Sequence, residues 1–185
     1  DVFTTDWAKL VQLDLPVGAQ YGLFALFAFA FFIKAPLFPF HTWLPAAYRQ
    51  APMVGTIVLA AVLGKMGTYG LVRFVLPLFP DAVAAFALPV SILAVIGIVY
   101  GALLAYGQDD LKGVLAYSSV SHLGFIVLGI FVGSQVAMTG AMFYMLAHGL
   151  SIAGLFLLAG VATIVALIVL AGIGCAERHF SGRKH

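Results

Sequence analysis

The sequence predicts an all-α fold, a polytopic transmembrane helix bundle of five or six spans whose first helix is broken. Three observations carry that prediction. Of 185 residues, 63% are hydrophobic and only 9% charged, with a mean hydropathy of +1.11. A soluble domain carries about 25% Asp, Glu, Lys and Arg, so a chain this apolar takes lipid as its solvent. Its apolar text falls into stretches of about 20 residues, the length that crosses a bilayer core as a helix. Two prolines, Pro36 and Pro39, interrupt the first of them.

The elements follow in order. Residues 1–16 (DVFTTDWAKLVQLDLP) are polar enough for an interfacial lead-in. The first span covers about 17–44, long for one straight crossing. Proline removes a backbone donor and crowds the preceding turn, so the helix is expected to break just after Lys34. The second span covers about 52–73, with Lys65 two-thirds of the way along, and VLPLFPDA (75–82) reads as a proline-punctuated connection. The third covers about 83–106, the polar turn GQDDLK (107–112) follows, and the fourth covers about 113–133. The fifth starts near Val136, and apolar text runs on to Cys175. That run exceeds one span, while 161–175 alone makes a short one, so the count stands at five or six. The chain thus divides into the lead-in (1–16), a membrane domain (17–160) and an atypical apolar extension with a basic tail (161–185).

Several function classes drop out. The single cysteine, Cys175, excludes an internal disulfide framework and a cysteine metal cluster. A net charge of +2 is too small for nucleic-acid binding. No phosphate-binding glycine loop, dinucleotide fingerprint or metal-ligand spacing is present. The chain opens on Asp1 without a basic leader, so it reads as an internal piece of a longer protein. With five passages, Arg49, Lys112, Arg178, Arg183 and Lys184 share one side against Lys9 and Arg73. The positive-inside rule puts the first group in the cytoplasm, and a sixth span would move the tail across.

The informative residues are the ionisable ones inside the apolar text. A charge at the bilayer centre costs roughly 2.5–3.5 kcal/mol on insertion scales, and such residues mark ion pathways by default. Lys34 lies between Phe31-Phe32-Ile33 and the proline break, too far inside the segment for easy snorkelling. The last carbonyls of the broken helix are expected to favour its protonated form, and desolvation its neutral form. Lys65 is flanked by Gly64, Gly67 and Gly70, small residues that let helices approach closely, so it should face protein. A structural ion pair is the alternative, but no acidic residue lies in any predicted span. His122 (AYSSVSHLGF) and His148 (YMLAHGLSIAG) sit near mid-span beside hydroxyls. Histidine changes charge between about pH 5 and 8, which suits a proton relay; a hydrogen-bonded packing role is the alternative for each. Haem ligation by the two histidines would leave the lysines unexplained. His41 reads as a capping or positional residue near the interface, and Asp109-Asp110 as a solvated turn.

The blocks KAPLFPFHTWLP (34–45), LAAVLGKMGTYGLVRFVLPLFPDA (59–82), YGALLAYGQDDLKGVLAYSSVSHLGF (100–125) and MLAHGLSIAGLFLLAG (145–160) closely resemble one family. It is the antiporter-like proton-translocating subunits of respiratory complex I, specifically the M-type subunit (chain 4) of NADH–quinone oxidoreductase. The resemblance implies two inverted repeats with discontinuous helices, a general transporter device, and makes this chain part of the second repeat. It implies that Lys34, Lys65, His122 and His148 line a hydrated proton path along the membrane midplane. It also implies that Lys34 pairs with a glutamate outside this chain. Flavin, iron–sulfur clusters and the quinone site are then expected on partner subunits, with no cofactor or metal on this chain. The expected neighbours are the L-, N- and K-type antiporter-like subunits, in a bacterial inner (plasma) membrane, with lipid, protons and water as the other contacts and no nucleic acid. The alternatives are a sodium/proton antiporter subunit of the multisubunit type, or a truncated structural paralogue that pumps nothing. Two departures from the family pattern stand out. Ala46 and Tyr48 replace an acidic residue and a histidine, where altered loop contacts are expected, and an apolar run follows Gly160 where the family turns polar.

Overall fold

A computed structural model describes residues 6–13 and 15–181. Among them there are helices and turns but no strand. The helices are α1 (Trp7–Leu10), α2 (Val17–Lys34), α3 (Trp43–Gln50), α4 (Met53–Leu78), α5 (Pro80–Tyr106), α6 (Leu111–Phe131) and α7 (Gln135–Ser181). Five of them, α2 and α4 to α7, are long and apolar enough to cross a membrane.

The lead-in is partly helical. Asp6 caps α1 by accepting from the Ala8 amide at 3.1 Å, and Trp7 lies under the Arg73 guanidinium, 4.6 Å from ring centre to cation. That contact ties α1 to α4. Residues 1–5 and 14 of the expected lead-in lie outside the described residues.

The first span breaks where expected. Helix α2 ends at Lys34, residues 35–42 form turns, and α3 resumes the helical course at Trp43. The break is well satisfied: Ala35 N–H bonds the Phe31 carbonyl at 2.7 Å, Leu37 N–H the Phe32 carbonyl at 3.0 Å, and the Trp43 indole the Ile33 carbonyl at 2.9 Å. Three of the last four carbonyls therefore already have donors. The expectation that open carbonyls would hold the Lys34 ammonium is corrected accordingly.

Helix α4 differs from the expected second span at its far end. It continues to Leu78, and the connection to α5 shrinks from 75–82 to Phe79 alone. Two physical features allow this. A π turn over Leu71–Val75 shifts the ladder, with Leu76 N–H reaching back to the Leu71 carbonyl; this opens the turn ahead of Pro77, whose ring otherwise crowds the carbonyl four residues back. Pro80 starts α5, a position where its missing N–H costs nothing. Asp81 thus lies in the first turn of a spanning helix, which the sequence reading had left free of acids. The buried Gln20 holds it reciprocally, donating to Asp81 Oδ2 at 2.9 Å and accepting from Asp81 N–H at 3.2 Å.

Helix α6 is the most buried of the spans. Its pairing with α5 depends on small residues: a Cβ added at Gly124 would stand 2.9 Å from Ile98 Cγ1 and 3.0 Å from the Ala94 carbonyl. Asp110 caps α6 through the Gly113 amide at 2.6 Å and pairs with Arg49 at 2.8 Å. Lys112 donates to the Ala51 carbonyl at 2.9 Å, so the turn at 107–112 is fastened to α3. At the other end Gly133 turns the chain with φ of 75°, a conformation glycine takes without steric cost; Ser134 then accepts from the Ala137 amide.

Helix α7 settles the span count among the described residues at five. It runs unbroken through 160, so 161–175 is not a separate crossing. No proline or polar turn interrupts the text from Val161 to Ala171, and nothing stops the helix. At 47 residues it is about 70 Å long, more than twice the roughly 30 Å of a bilayer core. Residues 161–171 are exposed all round. The side chains of the basic tail, Arg178, Arg183 and Lys184 included, lie outside the described residues.

Two apolar clusters form the interior. The larger joins α2, α4, α5 and α6 around Phe24, Leu71, Ala94 and Leu123. The smaller gathers Leu44, Tyr48, Ala60, Val120, Ile152 and Phe156 from α3, α4, α6 and α7.

Candidate functional site: a lysine and two histidines at the core seam

The polar mid-span residues fall between those clusters. On α6, Val120 belongs to the smaller cluster and Leu123 to the larger, and His122 lies between them. On α7, Ile152 belongs to the smaller, Tyr144 packs on the larger, and His148 lies between. On α4 the same holds for Lys65, between Ala60 and Leu71. Three helices thus bring one polar layer to a seam where neither cluster closes.

The imidazoles of His122 and His148 have ring centres 5.0 Å apart. Tyr144, one helical turn before His148, bonds His122 Nδ1 through its hydroxyl at 2.5 Å, and its ring centre is 6.4 Å from that of His148. His148 is buried, and neither ring nitrogen has a hydrogen-bond partner among the described residues. Buried polar atoms are normally paired with protein or ordered water, so both His148 nitrogens are available to a partner outside the described residues.

Lys65 reaches this layer from α4. A π turn over Leu59–Leu63 precedes it, where Gly64 N–H reaches back five residues to the Leu59 carbonyl; such turns recur at functional sites. Its ammonium donates to the Ala60 carbonyl within that turn. Gly149 lets α4 and α7 close up: a Cβ there would lie 3.2 Å from the Ala61 carbonyl and 3.7 Å from Lys65 Cε. A groove of about 450 Å³ between α4 and α7 has Lys65 in its wall, among Met66, Tyr69, Leu146 and Leu150.

Of the four residues singled out from the sequence, the structure brings Lys65, His122 and His148 together and leaves Lys34 apart. Lys34 ends α2 with an exposed side chain. Its backbone is nonetheless held close, because Ala35 packs on Gly67, two residues after Lys65. Tyr144 was missed; its one sequence signal is the spacing of four from His148, which puts both on one helix face. His41, read as a capping or positional residue, is buried in the turn after α2, with Phe38 and Tyr100 rings 5.8 and 5.4 Å away. Tyr48 is likewise no loop residue: it is fully buried, edge-on to Phe156 at 5.3 Å, and shares a hydrogen bond with Ser119. Asp110 is partly exposed, as a solvated turn should be, but it caps α6 and binds Arg49.

Known proteins are similar to this chain in sequence and in fold. The chain matches the family described as NADH:quinone oxidoreductase/Mrp antiporter, TM, over residues 5–166. It is 50% identical over 159 residues to NADH-quinone oxidoreductase subunit M of Pseudomonas aeruginosa, covering 86% of this chain and 31% of that protein. It is 47% identical over 157 residues to NADH-ubiquinone oxidoreductase chain 4 of Acanthamoeba castellanii, covering 85% and 32%. Among solved structures it is similar to a chain of respiratory complex I from Thermus thermophilus with bound NADH, at TM-score 0.80 and 37% identity, covering 85% and 34%. It is also similar to a chain of the Mrp complex from Dietzia sp., at 0.77 and 28%, covering 86% and 30%. The chain therefore spans about a third of the length of these relatives. A match over most of its residues, together with five apolar crossings, makes it a multi-pass membrane protein that belongs to the NADH:quinone oxidoreductase/Mrp antiporter family.

Proposed function

We propose that this chain is the proton-conducting core of an antiporter-like membrane subunit of NADH–quinone oxidoreductase, of the subunit M (chain 4) kind. The observation that carries the reading is His148, a buried imidazole with both nitrogens open, 5.0 Å from His122 and beside Lys65. One water spans such a gap with hydrogen bonds nearly as good as direct ones. Lys34 takes up or holds a proton, its affinity switched by a carboxylate outside this chain, and Lys65, His148 and His122, joined by water, relay it along the seam. The exposed Lys34 suits a carboxylate partner supplied by another part of the protein. Redox chemistry, with its flavin, iron–sulfur clusters and quinone site, is assigned to other subunits of the complex, and the L-, N- and K-type antiporter-like subunits are the neighbours in the membrane. The membrane is a bacterial inner membrane, with the Arg49 and Lys112 face towards the cytoplasm.

A second reading has one specific support. The likeness to a chain of the Mrp complex favours a sodium/proton antiporter subunit, working without redox coupling. The two separate in vesicles: the first requires quinone reduction for proton movement, the second a sodium gradient.

The test is proton translocation by the protein that carries this chain, reconstituted in vesicles with its complex. Lys65→Ala and Lys34→Ala are each expected to lose most of the pumping. Normal pumping in both refutes the relay.

A further inference from the structure

Tyr144 has no place in the relay just described, yet it makes the one direct hydrogen bond to a histidine of the layer. Its hydroxyl stands 2.5 Å from His122 Nδ1 and has no other hydrogen-bond partner among the described residues. A phenol at neutral pH is both donor and acceptor, and neutral imidazole has one nitrogen of each kind. If Tyr144 accepted from Nδ1–H, its own proton would have to turn out to a water in the groove beside it, giving up the direct bond to a ring nitrogen. Donation to Nδ1 satisfies both groups, and it leaves the ring proton of neutral His122 on Nε2.

Resting on the relay reading, we propose that Tyr144 is a positioning residue that locks neutral His122 as its Nε2–H tautomer, so that the ring meets the relay only as a donor. When His122 takes a second proton, the phenol passes its own proton to Nδ1 and regains one from a water on its other side, so that the tyrosine stays neutral, its oxygen accepts from Nδ1–H and its new O–H is turned away. There is room for that turn. A groove of about 310 Å³ opens on Tyr144, walled by Phe125, Gly129, Ala137, Gly140 and Ala141, where a water can take the turned O–H. The edge-on packing of the two rings, 5.9 Å between centres and 76° between planes, holds the phenol in line with Nδ1 rather than stacked across the imidazole.

The experiment uses the protein that carries this chain, in membranes with its complex and with 15N-labelled histidine. Nitrogen shifts in solid-state NMR distinguish the two tautomers, and vesicle assays give pumping on the same samples. The unmodified protein is expected to show His122, assigned by its loss in His122→Asn, as Nε2–H. Tyr144→Phe keeps the ring and its packing, and is expected to give mixed tautomers with pumping about fivefold lower, the size of one lost hydrogen bond. Tyr144→Gln keeps a donor at that place and is expected to retain the Nε2–H signal, which also covers the case of a Phe variant that fails to fold. An unchanged tautomer and unchanged pumping in Tyr144→Phe overturn the positioning role alone. Unchanged pumping in His122→Asn overturns the relay itself.

Discussion

Replacing Gly67 by alanine tests how tightly the broken helix is held against the lysine-bearing one. A Cβ at Gly67 would stand 2.6 Å from the Ala35 amide nitrogen, 2.8 Å from Ala35 Cβ and 2.8 Å from the Phe31 carbonyl. Ordinary contact begins at 3.4 Å, so α2 and α4 must separate by about 0.8 Å at their closest point. Two of the three obstructing atoms are backbone, and no rotamer change relieves them. Overpacking of this kind costs about 1–3 kcal/mol. Alanine returns about 1 kcal/mol in helix propensity, so the net loss is about 0–2 kcal/mol, the steric term winning over most of that range. For a domain of this size that lowers the melting midpoint by about 2–4 °C per kcal/mol. Gly154→Ala is the control, since a Cβ there meets nothing within 4 Å, and propensity alone leaves it as stable as the parent or more so. The assay is a thermal melt in detergent of both variants beside the parent. If Gly67→Ala melts with Gly154→Ala, the two helices are not in the contact described, and Lys34 is not held near the Lys65 layer through Ala35.

Two further predictions concern stability. Arg49 and the Gly113 amide hold the Asp110 carboxyl below the usual carboxylate range, the Arg49 hydrogen bond being the larger cause. A lowered folded value means that this contribution is fully present above the ordinary carboxylate pKa and is lost as pH falls through the folded one. Asp110→Ala should therefore lower the melting point at pH 7 by the worth of a helix cap, about 1 kcal/mol, with the difference from the parent shrinking towards acid; a difference independent of pH refutes the pairing. Tyr48→Ala should cost about 3–5 kcal/mol because it empties a fully buried aromatic site against Phe156. Tyr48→Phe should cost only about 1 kcal/mol, the Ser119 hydrogen bond, and equal melting of Tyr48→Ala and the parent would place Tyr48 outside the core.

The sequence by itself determined the membrane class, the approximate course of the first four crossings and the break after Lys34. Hydropathy and proline geometry act locally, within one span or one turn, and are written in consecutive residues. It also singled out Lys34, Lys65, His122 and His148, because an ionisable group in lipid is costly wherever its helix packs. Tertiary structure decided what those groups meet. His122 and His148 are 26 positions apart on separate helices, and only the pairing of α6 with α7 brings their rings to 5.0 Å. Tyr144 reads as another aromatic in an aromatic-rich chain until that pairing aims its hydroxyl at His122. Tyr48 reads as a loop residue and His41 as a capping or positional one because they follow a break, but the break folds back into the bundle and buries both. The far end of α4 was misjudged for a related reason: prolines at 77 and 80 signal a loop, while a π turn before one and the start of a helix at the other absorb them. The polar layer exists because two apolar clusters meet without closing. That seam is a property of how helices pack, which no single segment encodes.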